Sequence, residues 1–219
     1  MTHSRTKRYG LTLLHNMAFR PYIIISGLLL LLCHFVSRAT EPLKGDCSAI
    51  FVAGATMEKD FTGKATSRVC RVSYRAEETI RVMDIDVEFH WSDLTTEHEK
   101  RDTRMRNHFL KGGFEFIRGA ARGISLPTLA NAGPERPVTI PITMEMGGVT
   151  NQVHGLVTSP MVMADGRMRL DVELKISQEK FGYDAITLLG FMSVRDEVGV
   201  QARFALPPDP EAPAANPGR

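Results

Sequence analysis

A side-chain period of two, returning four times along the chain, limits this sequence more than any other feature. Met83, Ile85, Val87, Phe89 and Trp91 alternate with Asp84, Asp86, Glu88 and His90. Val138, Ile140, Ile142, Met144 and Met146 alternate with Thr139, Pro141, Thr143 and Glu145. Met168 to Ile176 repeats the pattern with Arg169, Asp171, Glu173 and Lys175 between, and Val198 to Leu206 carries Val200, Ala202 and Phe204 on one face. Successive side chains of a strand point to opposite faces, so each stretch predicts a strand with one apolar and one polar side. Half-buried strands of this kind build antiparallel sheets, not buried parallel ones. Pro141 lacks an N–H and pushes its strand toward an edge.

Weaker signals fill in the rest. Cys47–Ala53, Phe61–Cys70, Phe114–Gly119 and Gln152–Ser159 read as further strands. Asp165-Gly166 is a hairpin turn, Gly147-Gly148 with Thr150-Asn151 marks another, and a loop runs through Asn131 to Pro137. The expectation is an all-β chain: an antiparallel barrel of about eight strands, holding either packed side chains or one small ligand.

One segment departs from this period. Thr96 and Glu99 have the spacing of a capping box, which predicts a short helix beginning there and ending at Gly112-Gly113. Met105 and Phe109, four apart, face the core. Glu97, Glu99, Lys100, Arg101, Asp102 and Arg104 face water or one another. Carboxylates crowded on one short helix are more often solvated than catalytic. His90, His98, His108 and His154 lack the spacing of a chelating pair, so no metal is expected. Neither a Gly-x-Ser-x-Gly elbow nor a glycine-rich phosphate loop occurs.

The ends of the chain have their own composition. Tyr22–Val36 is an apolar run preceded by Arg20 and followed by Ser37-Arg38-Ala39, the pattern of a secretory signal peptide cut after Ala39. Met17 would make a more ordinary start for it. An uncleaved anchor is the alternative, and Leu32 before Cys33 argues against a lipidated cysteine. Residues 1–39 hold five basic residues and no acidic one, which leaves 22 basic against 25 acidic in the rest. A mildly acidic domain lacks the basic footprint of a nucleic-acid partner. Residues 207–219, rich in Pro and Ala, read as a disordered tail.

Export would allow disulfides. A hairpin centred between Glu58 and Lys59 places Cys47 directly opposite Cys70, near enough to bridge. A one-residue slip would separate them into two small buried residues.

Asp93-Leu94-Thr95-Thr96, Lys100-Arg101-Asp102, Met105-Arg106 and Phe109-Leu110 together resemble the signature block of the YceI-like family, the polyisoprenoid-binding, lipocalin-like periplasmic proteins. Asp60-Phe61-Thr62-Gly63, Gly148-Val149-Thr150 and Phe181-Gly182 resemble its lesser motifs in the same order, so the resemblance spans roughly residues 46–206. The aromatic-Pro segment usual after the helix is absent at Gly112–Phe116. The resemblance implies a lipocalin-like barrel over residues 40–206, no enzyme activity and no cofactor beyond a bound isoprenoid or similar long-chain amphiphile in the lumen. It implies a periplasmic or secreted protein that meets the membrane transiently or through its leader.

Lumen candidates are the large apolar residues of the inward faces: Phe51, Phe61, Phe89, Trp91, Met144, Met146, Met168, Leu170, Phe181 and Phe204. By default each is also a core residue, since a small barrel fills its own interior. Thr95, Arg101, Asp102 and Met105 match the signature block, with an Arg–Asp pair fixing the helix over the barrel mouth, or gating a lipid headgroup. Two other readings stay open: a solid barrel acting through partners, and an envelope hydrolase using the carboxylates and histidines of residues 97–108.

Overall fold

The computed structural model describes residues 41–55, 60–184, 187–188 and 192–211. The expected leader and residues 212–219 of the expected tail lie outside them. The strands are β1 (Leu43–Lys44), β2 (Asp46–Ala55), β3 (Phe61–Thr66), β4 (Val69–Glu77), β5 (Ile80–His90), β6 (Phe116–Ser125), β7 (Val138–Met146), β8 (Val149–Val157), β9 (Met161–Val162), β10 (Met168–Ser177), β11 (Thr187–Leu188) and β12 (Met192–Leu206). Helix α1 is Glu99–Phe109 and helix α2 is Leu126–Ala130.

All described pairings are antiparallel, in the order β1-β4-β5-β6-β7-β8-β10-β12-β2-β3. The two ends of this path are one hairpin. β1 runs into β2 across Gly45, and β3 runs into β4 across Ser67-Arg68. Gly45 N–H donates to Cys70 O and Ser67 N–H donates to Cys47 O, so the ladder continues through both bends. The sheet therefore curls until it meets itself, and with the two bent strands counted once each, eight long strands form the wall. Closure leaves few unpaired edges.

The four alternating stretches become β5, β7, β10 and β12, with their apolar members inside. β6 pairs with β7 only from Thr143 to Met146, so Pro141 sits where its strand is bonded on one side alone. Gly147 and Gly148 turn between β7 and β8 with φ of 62° and 76°, a region that favours glycine.

One end of the barrel is solid. Val72, Met83, Val157, Leu170 and Leu206 are fully buried there, and Leu129 of α2 plugs it. Each such side chain contributes roughly 1.5–3 kcal/mol on leaving water. Helix α2 lies just before the expected loop at Asn131–Pro137, in a stretch for which no element is expected from the sequence. Ser125 Oγ accepts from Thr128 N–H and Pro127 stands in the first turn, which together start a helix.

Pro207 to Glu211, the start of the expected disordered tail, lie against the barrel. Tyr74 Oη donates to Pro207 O at 2.7 Å, and Arg81 clasps Asp209 with both Nε and Nη2 and reaches Glu211. A short Pro-rich segment loses little freedom on docking, so a few ion pairs hold it.

The cysteines do not face each other. The β2–β3 register sets Ser48 opposite Thr66, three positions from the expected pairing, and Cys70 lies on β4 opposite Gly45 on one side and Val87 on the other. Both thiols are free and buried in the solid end. Burial, with a small contribution from Asp46, raises Cys70 to about 11; burial and the neighbouring Cys70 raise Cys47 further. A thiol that does not ionise is unreactive. Iodoacetamide at pH 8 is expected to leave both cysteines of the native domain unmodified and to alkylate both in urea. Rapid native labelling, or a mobility shift on reduction, would contradict this placement.

Candidate functional site

The inside of the barrel changes character halfway along. Ala202 of β12 lies opposite Ala49 of β2, and Ala49 lies opposite Ala65 of β3. All three are buried and point inward. Across from them β6 contributes Gly119 and Ala121. Small residues at one level of a barrel leave its middle unfilled, and a cavity of about 470 Å³ occupies that level. It lies within the range of small-molecule sites, roughly 300–1,000 Å³. This excludes the solid-barrel reading.

Most of the expected lumen residues line it. Phe51, Phe61, Phe89 and Trp91 form part of the wall, as do Met144, Met146, Leu170 and Phe204. Met168 and Phe181 do not. Met168 packs against the solid end, and Phe181 is buried in the cluster beneath α1. The alanines and Gly119 were not among the expected residues. Their signal is a small residue at an inward position of an alternating strand, as at Ala202 between Val200 and Phe204.

Helix α1 covers the other end. Its apolar side is Met105 and Phe109, both buried; Phe109 stacks on Trp91 at 4.1 Å, and Tyr183 meets Phe109 edge-on at 4.8 Å. Stacked pairs of this kind add roughly 0.5–1.5 kcal/mol beyond their buried area. The segment leading into the helix is tied to the barrel: Lys64 and Thr95 exchange backbone hydrogen bonds, and Arg68 grips Asp93 with two nitrogens.

The expected capping box does not form. The N-cap is His98, whose Nδ1 accepts from Arg101 N–H, and Glu97 turns outward to pair with Lys64. Thr96 is held instead by Asp102. That carboxylate, on a residue only 4% exposed, accepts from Thr96 N–H at 2.8 Å, Thr96 Oγ1 at 2.6 Å and Thr95 Oγ1 at 2.7 Å. Burial by itself raises the Asp102 pKa, but the hydrogen bonds from Thr96 and Thr95 outweigh it and hold the carboxyl below its ordinary value. Asp102 is thus the internal bolt of the loop, not a solvated charge.

Nor does Asp102 pair with Arg101. The Arg101 guanidinium sits 4.6 Å above the Phe61 ring, at the edge of the cavity. Lys100 and Arg104 line the same edge, with His98 and Gln178. Of the three carboxylates considered for acid–base work, Glu97 is committed to Lys64 and Asp102 to the threonines, while Glu99 is exposed to solvent. Among the described residues no three His, Cys, Asp or Glu side chains gather as a metal site would require.

A closed antiparallel barrel, solid at one end and hollow and apolar under a helix at the other, is a lipocalin-like fold built around an internal site. Solved structures share it. A polyisoprenoid binding domain from Saccharophagus degradans, implicated in plant cell wall breakdown, aligns with a TM-score of 0.54 at 12% identity, over 76% of this chain and 100% of that one. Burkholderia cenocepacia BcnA aligns with a TM-score of 0.55 at 11% identity, over 74% and 96%. A YceI protein of Campylobacter jejuni also aligns, at 14% identity over 70% and 89%, with a TM-score of 0.47. No family model matches the chain, and no curated protein matches it in sequence. At these identities what the first two share with this chain is the fold.

Proposed function

We propose that this is a YceI-like binding protein of the cell envelope that holds one long-chain isoprenoid or similar lipid inside its barrel, without catalysis. The observation that carries this reading is the 470 Å³ cavity, whose wall is apolar from the alanine level to the helix. A long apolar chain gains roughly 25 cal/mol for each Å² removed from water, so such a wall holds it without polar contacts. Met144 and Met146 suit the task, because their flexible side chains adapt to a chain of varying shape. The fold shared with a polyisoprenoid binding domain supports the choice of ligand class. The signal-peptide pattern of residues 1–39 supports a periplasmic or secreted location. Among the described residues no helix is long and apolar enough to cross a membrane.

The test is direct. Organic extracts of the protein purified without detergent are expected to contain a long-chain lipid in near-stoichiometric amount by mass spectrometry, and delipidated protein is expected to melt higher when geranylgeraniol is restored. A lipid-free extract together with an unmoved melting temperature would overturn the reading.

A further inference from the structure

We infer that the lipid carried here ends in an anionic headgroup, held at the mouth by Lys100, Arg101 and Arg104 of α1; the inference rests on the lipid-binding reading above. The cavity wall is otherwise almost wholly apolar. Among the described residues its charged side chains are these three, all cations and all from one helix.

Their placement follows from helix geometry. Arg101, Arg104 and Met105 stand three and four apart, so they share the side of α1 that faces the barrel. Met105 points into the apolar cluster, and the two arginines emerge beside it at the rim. Stacking on Phe61 holds the Arg101 guanidinium over the opening, and among the described residues its nitrogens have no hydrogen-bond acceptor. Three of the nearby acids are engaged elsewhere, and Glu99 at the start of α1 is exposed to solvent. Asp93 is gripped by Arg68, Glu97 by Lys64, and Asp102 is turned into the threonine loop. The first turn of α1 adds the positive end of a helix dipole. A neutral headgroup would gain nothing from the three charges and would leave them to solvent. A headgroup oxyanion accepts charge-assisted hydrogen bonds from them, bidentate from an arginine.

The experiment compares geranylgeranyl monophosphate with geranylgeraniol, which share a chain and differ in the head, by displacement of a fluorescent fatty probe from delipidated full-length protein. The phosphate is expected to bind about tenfold more tightly at low salt, the scale of one charged hydrogen bond. That preference should shrink as salt is raised. In the Arg101→Gln/Arg104→Gln double variant the preference is expected to fall to the share that Lys100 supplies, with an unaltered far-UV circular dichroism spectrum reporting an intact barrel; a full preference in this variant would overturn the assignment to these arginines. Restoring charge with Arg101→Lys/Arg104→Lys should recover part of it. Equal binding of both lipids by the wild-type protein overturns the headgroup assignment and leaves the lipid-binding reading standing. Binding of neither lipid overturns both. Inorganic phosphate that binds as tightly as the lipid phosphate would identify a free-anion site and overturn the headgroup assignment too.

Discussion

Replacing Ala49 by Phe is expected to abolish lipid uptake while leaving the barrel folded. Ala49 is the middle of the three-alanine row, between Ala202 and Ala65, and it lines the cavity. A phenyl ring there occupies the level at which the lumen is open. If it excludes roughly 100 Å² of ligand surface, the loss is about 2.5 kcal/mol, close to a hundredfold in Kd. Filling an existing void with apolar atoms ordinarily holds or raises stability, in contrast to forcing bulk into a packed core. The variant should therefore melt at or above the delipidated wild-type protein, carry no lipid in its organic extract, and show no shift on adding geranylgeraniol. Val157→Phe, by contrast, adds volume at a fully buried position of the solid end and should lower stability. Unchanged lipid content in Ala49→Phe would mean that the ligand does not occupy this level of the barrel.

The second large effect concerns stability. Asp102→Ala leaves the buried Thr96 N–H and two threonine hydroxyls without their shared acceptor. Losing an ionised acceptor of several hydrogen bonds costs about 3 kcal/mol, which for a domain of this size lowers Tm by about 6–12 °C. The pH dependence has a definite sign. The folded pKa of Asp102 lies below its unfolded value of about 3.9, so its contribution is fully present above that value. It is lost as pH falls through the folded pKa. Asp102→Asn, which keeps the shape without the charge, should be less stable at pH 7 and show a shallower loss of stability as pH falls below about 4. Urea titrations across that range measure both effects. An Asp102→Ala protein of wild-type stability that had lost only lipid affinity would assign the residue to the site and remove it from the scaffold.

Much of the wall is legible in the order of residues alone. The alternation at Met83–Trp91, Val138–Met146, Met168–Ile176 and Val198–Leu206 reappears as β5, β7, β10 and β12 with the apolar sides inward. The four-residue spacing of Met105 and Phe109 likewise marks the buried side of α1. These readings succeed because the period of a strand or a helix is a property of the local backbone.

Other features depend on contacts that a local backbone period does not encode. The expected capping box fails because Thr96 is claimed by Asp102, six residues on, once the loop folds back; His98 then caps the helix. Cys47 and Cys70 fall out of register because β2 and β3 already pair three positions away from the symmetric hairpin, and the bends at Gly45 and Ser67-Arg68 shift the ladder by only one position.

By itself, the sequence determined the alternating strands β5, β7, β10 and β12, the helix α1 and their buried sides. Only the tertiary structure decided that the interior is hollow. Ala49, Ala65 and Ala202 are unremarkable in three separate strands, and they open a cavity because closure of the barrel brings them to one level. Closure likewise carries Arg101 and Arg104 to the rim. A void and its charged edge are properties of register among distant strands, and no local period encodes that register.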